Sequence, residues 1–480
     1  MSSLKFGTSG LRGLVSELVG APAYAYARAF CQTIREDDAA GPGGTVMIAR
    51  DLRASSPRIA ALCAQAVADS GLVPVDCGAV PTPALALAAT GAGAPAIMVT
   101  GSHIPEDRNG LKFYRREGEI DKADEARILR HHARLALGTA PSLPVAPQTR
   151  DALPAYRARY IDFFGAGALA GLTVGVYQHS SVGRDVICEV LAALGATPVP
   201  LGRAASFIPV DTEALRPEDE ALAKGWAGER RLDAIVSTDG DADRPLVADE
   251  TGRFLRGDLV GALTAAALGA DAIVTPVTSN SALEKPGLFA RVLRTKVGSP
   301  FVIAGMREAR RDGARMVVGF EANGGVLLGS DVTRAGRVLP ALPTRDALLP
   351  ILACLDRVKQ TVQPLSALAR EACFAVALSN RLQNVAQEKS AALIARLDAD
   401  AAFRDAVFAA HGGVAARDGR DGLRMTLGDG ATAHFRASGN APELRVYVEA
   451  ATQEAAEALL AEGLAFAARE TAWLSARASP

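Results

Sequence analysis

Residues 234–244 read AIVSTDGDADR. A short apolar run ends in a turn that carries three carboxylates, Asp239, Asp241 and Asp243, and then Arg244. This is the pattern of a β-strand delivering a polar loop at its carboxyl end. The same order occurs twice more: residues 96–100 (AIMVT) lead into GSHIPEDRNG, and residues 316–318 (MVV) lead into GFEANGG. Upstream of each loop lies another apolar run, at 45–49 (TVMIA), 172–177 (LTVGVY) and 272–277 (AIVTPV). A polar turn follows each of these, and then a helical run, over 57–70, 185–194 and 282–292. Strands alternating with helices predict βαβ units on mixed or parallel sheets. First strand and loop are 56, 65 and 48 residues apart (46 to 102, 174 to 239, 273 to 321), which is too unequal for a solenoid. Three related α/β domains with different insertions account for it. Ligands of open α/β sheets gather at the carboxyl ends of strands, where all three loops fall.

The tail differs. From about residue 370 it reads strand (373–377), helix (388–397), two strands (423–427 and 432–436) joined by Gly428-Asp-Gly430, the loop RASGNAPE, strand (444–450) and helix (454–468). The GDG turn predicts a hairpin. The expectation is a smaller α+β domain covering a cleft. Domain limits are expected at 1–150, 151–255, 256–370 and 371–480, the first in the Pro-rich stretch 141–154.

The 52 basic and 53 acidic residues nearly cancel, so no global field holds nucleic acid or an anionic membrane. An anionic ligand must be held locally. The six cysteines form no CxxC pair and sit in apolar contexts, as buried thiols of a reducing cytoplasm do. The uncharged stretch 84–101 is broken by Gly91, Gly93 and Pro95, so it reads as helix, loop and strand rather than a membrane span. No secretory signal is seen. A soluble cytoplasmic protein, monomeric or a small homo-oligomer, is expected.

Carboxylates at 239, 241 and 243 can converge on one hard cation, and Mg²⁺ suits them because it takes oxygen ligands and shares phosphates. An EF-hand is excluded by Arg244 where its loop needs glycine. As loop residues the three are expected to be exposed, so that losing one spares the core. Ser102, between Gly101 and Pro105 just past a strand, can hold a hydroxyl in a fixed position. It lacks the GxSxG elbow of a Ser-His-Asp hydrolase, and adjacent His103 is poorly placed for a direct relay. Lys112 places an amine nearby, whose pKa a dication or arginines would lower toward proton transfer. Arg436, Ser438, Gly439 and Asn440 have the composition of an anion cradle. Glu321 and Asn323 offer a carboxylate and an amide to adjacent sugar hydroxyls, and Arg12 lies in the glycine-rich KFGTSGLRG.

Together and in this order, these motifs resemble the α-D-phosphohexomutase family of bacterial phosphomannomutases and phosphoglucomutases. The resemblance runs from GTSGLRG at 7–13 to RASGNAPELRVYVEA at 436–450. It implies three related α/β domains and a smaller fourth around a central cleft. It implies a phosphoserine at Ser102, in TGSHIP where the family usually has TASHNP. DGDADR stands for DGDGDR, which makes Ser102, Asp239, Asp241 and Asp243 the ligands of one Mg²⁺, with Arg244 neutralising the phosphoserine. FEANGG keeps the carboxylate of GExSG but has Asn323 for its serine and lacks the histidine of some members. RASGNAP keeps the arginine, serine and glycine of RxSGTEP. The implied reaction passes the Ser102 phosphoryl to a hexose monophosphate, giving a hexose 1,6-bisphosphate that turns over in the cleft. Lys112 would be general acid and base with Arg12 and His103 beside it, and residues 436–440 would hold the unreacting phosphate. Mannose phosphate is the expected main substrate, with glucose phosphates also used. A glucose- or glucosamine-phosphate mutase and a non-catalytic phosphosugar-binding relative are the alternatives. A phosphatase with an aspartate nucleophile would need neither Ser102 nor Glu321.

Overall fold

The structure is a computed structural model that describes residues 3–7, 10–37, 44–135, 144–285, 287–438 and 442–477, with side chains as far as 472. Strand Thr45–Arg50 shows how the layers arise. Its central residues are buried on both faces, so its sequence is continuously apolar rather than alternating. Val46 and Ile48 join one hydrophobic cluster while Met47 and Ala49 join another on the opposite face. Ala96–Val99 divides in the same way, Ile97 and Val99 against Ala96 and Met98. Helices Ala21–Glu36 and Ser56–Asp69 cover the first face.

Three sheets repeat one arrangement. Thr45–Arg50 lies parallel to Ala96–Val99, which pairs antiparallel with Arg108–Arg115. Thr173–His179 lies parallel to Ala234–Thr238, which pairs antiparallel with Pro245–Ala248. Ala272–Pro276 lies parallel to Val317–Phe320, which pairs antiparallel with Val326–Leu328. Each loop singled out in the sequence therefore joins a central parallel strand to its antiparallel return, and the sheets are mixed. Outer strand Leu342–Asp346 completes the third sheet.

The helical run expected over 282–292 is instead a 3₁₀ turn, Ser281–Glu284, followed by strand Arg291–Thr295. Gly287, with φ of 90°, takes the chain out of helical conformation between the two. In the fourth sheet every strand pair is antiparallel, in the order Val376–Gln383, Glu443–Ala450, Thr432–Ala437, Leu423–Leu427, Val414–Asp418. Leu423, Met425, Leu427, Phe435, Val446 and Val448 pack beneath the helices of this unit. Period-two alternation then puts Arg424, His434, Arg436, Arg445 and Tyr447 on the other face. That polar face meets the third domain, where Arg256 Nη1 donates to Ala377 O at 3.0 Å and Ser281 N to Glu449 Oε2 at 3.0 Å.

Four cysteines are buried, but Cys188 is half-buried and Cys373 exposed, because Cys373 lies in the connection into the fourth sheet rather than in a core. Among the described residues, no helix is long and apolar enough to cross a membrane.

Candidate active site

The loop after Ala96–Val99 is held from within its own sheet by a residue that the sequence reading passed over. Arg53 Nη2 donates to Ser102 O at 3.0 Å and to Ile104 O at 2.5 Å. Its Nη1 donates to Pro105 O at 2.8 Å and Arg108 O at 3.1 Å. Asp51 carries the Arg53 charge and also accepts from Thr100 Oγ1 at 2.8 Å. This scaffold keeps Ser102 at φ 54°, a left-handed conformation that a non-glycine residue adopts at a cost of order 1 kcal/mol. It also accounts for glycine at 101, since a Cβ there would lie 2.7 Å from Arg53 Cζ. Gly101→Ala is expected to displace the guanidinium and let the serine wander. A kcat loss of about 10–10²-fold is expected, with little change in KM, measured by steady-state kinetics.

Ser102 Oγ donates to Asp239 Oδ2 at 2.5 Å, across the boundary between the first and second sheets. His103 Nδ1 lies 3.2 Å from Ser102 Oγ but 2.9 Å from Arg244 Nη1. A guanidinium only donates, so Nδ1 is the acceptor and the proton sits on Nε2. Burial first, then Arg244 and Arg12, hold the imidazole pKa well below its ordinary value. His103 is thus a neutral spacer between serine and arginine.

The three aspartates are almost wholly buried, contrary to the expectation of exposed loop carboxylates. The first three loops close over them, and protein donors replace water. Asp241 Oδ2 accepts from Thr82 Oγ1 at 2.6 Å and Lys112 Nζ at 2.6 Å. Asp243 Oδ2 accepts from Lys112 Nζ at 2.5 Å, Arg345 Nη2 at 2.8 Å and Arg345 Nε at 3.1 Å. Lys112 reaches the cluster because alternation along Arg108–Arg115 sends Leu111 and Phe113 into the core and Lys112 away from it. Burial depresses the Lys112 pKa, but Asp241 and Asp243 outweigh it, so the ammonium is held above its ordinary value rather than lowered as expected. Burial, then Asp241 and Asp243, push the Asp239 carboxyl well above the usual range. Burial also opposes charge on Asp243, but Arg345 and Lys112 prevail and keep it well below that range.

Asp241 Oδ1 and Asp243 Oδ1 are buried without a hydrogen-bond partner. One oxygen of each of the three carboxylates lies within 4.8 Å of the others. Orphaned carboxylate oxygens facing one point are the donor set a hard divalent cation requires.

Arg345 is the second residue that the sequence did not disclose. It is 2% exposed, and its Nη1 donates to Glu321 Oε2 at 2.8 Å. It thereby joins the third loop to the aspartates. Asn323 Oδ1 accepts from Gly325 N at 3.0 Å, which fixes that turn, and Asn323 O accepts from Thr212 Oγ1 at 2.9 Å. Arg12, half-buried on strand Gly10–Leu14, has no carboxylate partner among the described residues. Burial, Arg244 and Arg345 lower its pKa to about 10.

Arg436 and Ser438 stand apart on the fourth sheet. Arg436 Nε lies 2.9 Å from Asp421 Oδ2, and Ser438 N donates to Glu443 O at 2.9 Å. Gly439 and Asn440 lie outside the described residues. A cleft of about 280 Å³ runs from Ala322, beside Glu321, to Arg424, His434 and Arg445 of the fourth sheet.

Models of the phosphoglucomutase/phosphomannomutase family match four successive segments: α/β/α domain I at 3–137, II at 158–252, III at 256–376 and the C-terminal domain at 382–465. A phosphomannomutase of Sinorhizobium fredii is 50% identical over 96% of this chain and 98% of its own. A phosphomannomutase of Salmonella muenchen is 43% identical over 94% of this chain and 93% of its own. The solved structure of a putative phosphomannomutase from Thermus thermophilus superposes with a TM-score of 0.76 at 24% identity, over 97% of this chain and 99% of that one. With four domain models in order and half its residues shared with one full-length relative, the chain belongs to the phosphoglucomutase/phosphomannomutase family and is an enzyme of the isomerase type that moves a phosphoryl group within its substrate.

Proposed function

We propose that the protein interconverts mannose 6-phosphate and mannose 1-phosphate through a phosphoserine at Ser102 and a hexose 1,6-bisphosphate, and that glucose phosphates also react. The observation that carries this is the Ser102 hydroxyl lying 2.5 Å from Asp239, beside the orphaned oxygens of Asp241 and Asp243. A hydrolase would keep an imidazole free to take that proton; here His103 Nδ1 accepts from Arg244, and the carboxylate on the hydroxyl belongs to the metal-binding set. The two relatives of 50% and 43% identity, both phosphomannomutases, favour mannose.

Asp239, Asp241 and Asp243 would hold Mg²⁺ together with an oxygen of the Ser102 phosphate. Bound there, the ion neutralises charge that develops on the transferring phosphoryl. Arg244 and Arg12 supply further positive charge to the same group. As the bond from Ser102 Oγ to phosphorus breaks and a sugar oxygen bonds to phosphorus, Lys112 gives its proton to Oγ. The amine so formed takes the proton of the attacking hydroxyl. In the second half the bisphosphate, turned over, returns its other phosphoryl to Ser102 by the reverse transfer. Arg436, Ser438, Gly439 and Asn440 would hold the phosphate that is not reacting.

Sugar selection follows from Glu321. Its Oε2 is held by Arg345, which leaves Oε1 to accept from the sugar. Turning the ring over exchanges O3 and O4, both equatorial in mannose and glucose, so one carboxylate serves either orientation. O2 moves to a different place, so no single fixed contact can follow it. Specificity constants for mannose and glucose 1-phosphates are therefore expected to differ little. Galactose 1-phosphate, with axial O4, should lose roughly 1–3 kcal/mol of transition-state stabilisation. The measurement is kcat/KM across mannose, glucose, glucosamine and galactose 1-phosphates. Strong preference between the first two, or good use of galactose, would overturn this account. A phosphoryl adduct on the Ser102 peptide in mass spectra of the purified protein tests the phosphoserine itself.

A further inference from the structure

Strand Leu342–Asp346 sends three consecutive side chains to three different places. Thr344 Oγ1 donates to Glu119 Oε1 of the first sheet at 3.0 Å. Asp346 accepts from Tyr156 at 2.7 Å and from Tyr160, both on the helix that precedes the second sheet. Arg345, between them, spans the metal-binding loop and the sugar loop.

Its geometry is specific. Nε and Nη2 both donate to one oxygen of Asp243, Oδ2, while Oδ1 of the same carboxylate is buried without a hydrogen bond, 3.7 Å from Arg244 Nε. Nη1 donates to one oxygen of Glu321, Oε2. The side chain passes through room left by Gly325, where a Cβ would lie 2.7 Å from Arg345 Cδ and 2.9 Å from Asp243 O. Lys112, the other cation on Asp243 Oδ2, pairs with Asp241 and Asp243 and not with Glu321, so it does not make this link.

We infer that Arg345 is a positioning residue that couples cation occupancy at Asp243 to sugar recognition at Glu321. The inference rests on the functional reading above. A guanidinium carries one positive charge, here divided between two carboxylates on different loops. With Glu321 in place, part of that charge is drawn away from Asp243, which leaves the carboxylate free to meet a divalent cation. Neutralising Glu321 returns the whole charge to Asp243, where it competes with the cation. The converse holds by linkage: a cation that takes up Asp243 releases the guanidinium toward Glu321 and fixes the carboxylate that receives O3 and O4. Lysine could balance one carboxylate but has no fork with which to hold both.

The test is a double-mutant cycle read by calorimetric titration with Mg²⁺ alone, in a Ser102→Ala background so that every molecule has the same phosphorylation state. Glu321→Gln, which keeps the shape of the side chain and lies outside the metal-binding carboxylates, is expected to weaken Mg²⁺ binding about tenfold when Arg345 is present. With Arg345→Met the same substitution is expected to change it less than about twofold. The reciprocal readout is the dissociation constant of mannose 1-phosphate with and without Mg²⁺. It should improve with the ion in the Arg345 protein and not in Arg345→Met. Should Arg345→Met fail a circular-dichroism check of folding, Arg345→Lys replaces it in the cycle, with the same expected loss of coupling. Equal effects of Glu321→Gln in both backgrounds, or none in either, would overturn the inference while leaving the mutase reading intact. A parent protein that takes up no Mg²⁺ would overturn both.

Discussion

Ser102→Ala should lose mutase activity by on the order of 10³-fold or more while still binding hexose phosphates. Among the described residues the other candidate groups of the cluster are engaged: Thr82 Oγ1 donates to Asp241 Oδ2, Asp243 is held by Lys112 and Arg345, and His103 Nδ1 accepts from Arg244. Loss of Oγ leaves Asp239 Oδ2 without its donor, but Arg244 N still bonds Oδ1 at 3.3 Å. The loop itself is held through backbone carbonyls by Arg53, not through the serine side chain. Folding and sugar-phosphate affinity should therefore survive. The check is turnover of mannose 1-phosphate set beside its dissociation constant by calorimetry. Near-normal turnover would show that the phosphoryl carrier is another group.

What the sequence disclosed and what it withheld divide along a physical line. The three strand–loop units were legible because strands buried on both faces read as apolar runs, and because Asp-Gly-Asp-Ala-Asp and Gly-Ser-His have few structural uses at a strand end. Ser102, Lys112, Arg244 and the aspartates come together as those motifs imply. Edge strand Val414–Asp418 was not legible, since its exposed residues carry no apolar alternation. Nor was the short turn at Ser281–Glu284, where helical periodicity gave way to Gly287. Arg53 and Arg345 escaped for a different reason. Each donates to partners supplied by distant segments, 49 to 55 residues away for the carbonyls held by Arg53 and 102 for Asp243 held by Arg345. One sequence has no periodicity that marks an arginine as buried. The burial of the aspartates was missed similarly: loop residues are normally solvated, and only the closure of three loops on one point excludes water here.

That burial also makes the aspartates unequal. Each of Asp239→Asn, Asp241→Asn and Asp243→Asn should weaken Mg²⁺ binding and reduce turnover by roughly 10²–10³-fold, as should EDTA acting on the wild type. Stability measured in EDTA should separate them. Asp243 carries two buried cations on one oxygen, Lys112 at 2.5 Å and Arg345 at 2.8 Å. An amide in its place removes the main counter-charge of Arg345 and leaves Lys112 with Asp241 alone, a loss of roughly 3–5 kcal/mol by analogy with broken buried pairs. Asp239 is placed oppositely. Its direct hydrogen-bond donors are a hydroxyl and a backbone amide, while Asp241 and Asp243 repel its charge. Removing that charge relieves a like-charge cluster, so Asp239→Asn should melt in EDTA at or above the wild-type midpoint. Asp241 falls between, since it shares Lys112 with Asp243 and keeps its hydrogen bond from Thr82. The measurement is thermal unfolding of the three variants and the wild type in EDTA, repeated with excess Mg²⁺. Added metal should raise the wild-type midpoint and leave the variants nearly unmoved. Equal destabilisation by all three would mean that Lys112 and Arg345 are not balanced by Asp243 in the way their geometry indicates. An enzyme fully active in EDTA would remove the ion from the mechanism altogether.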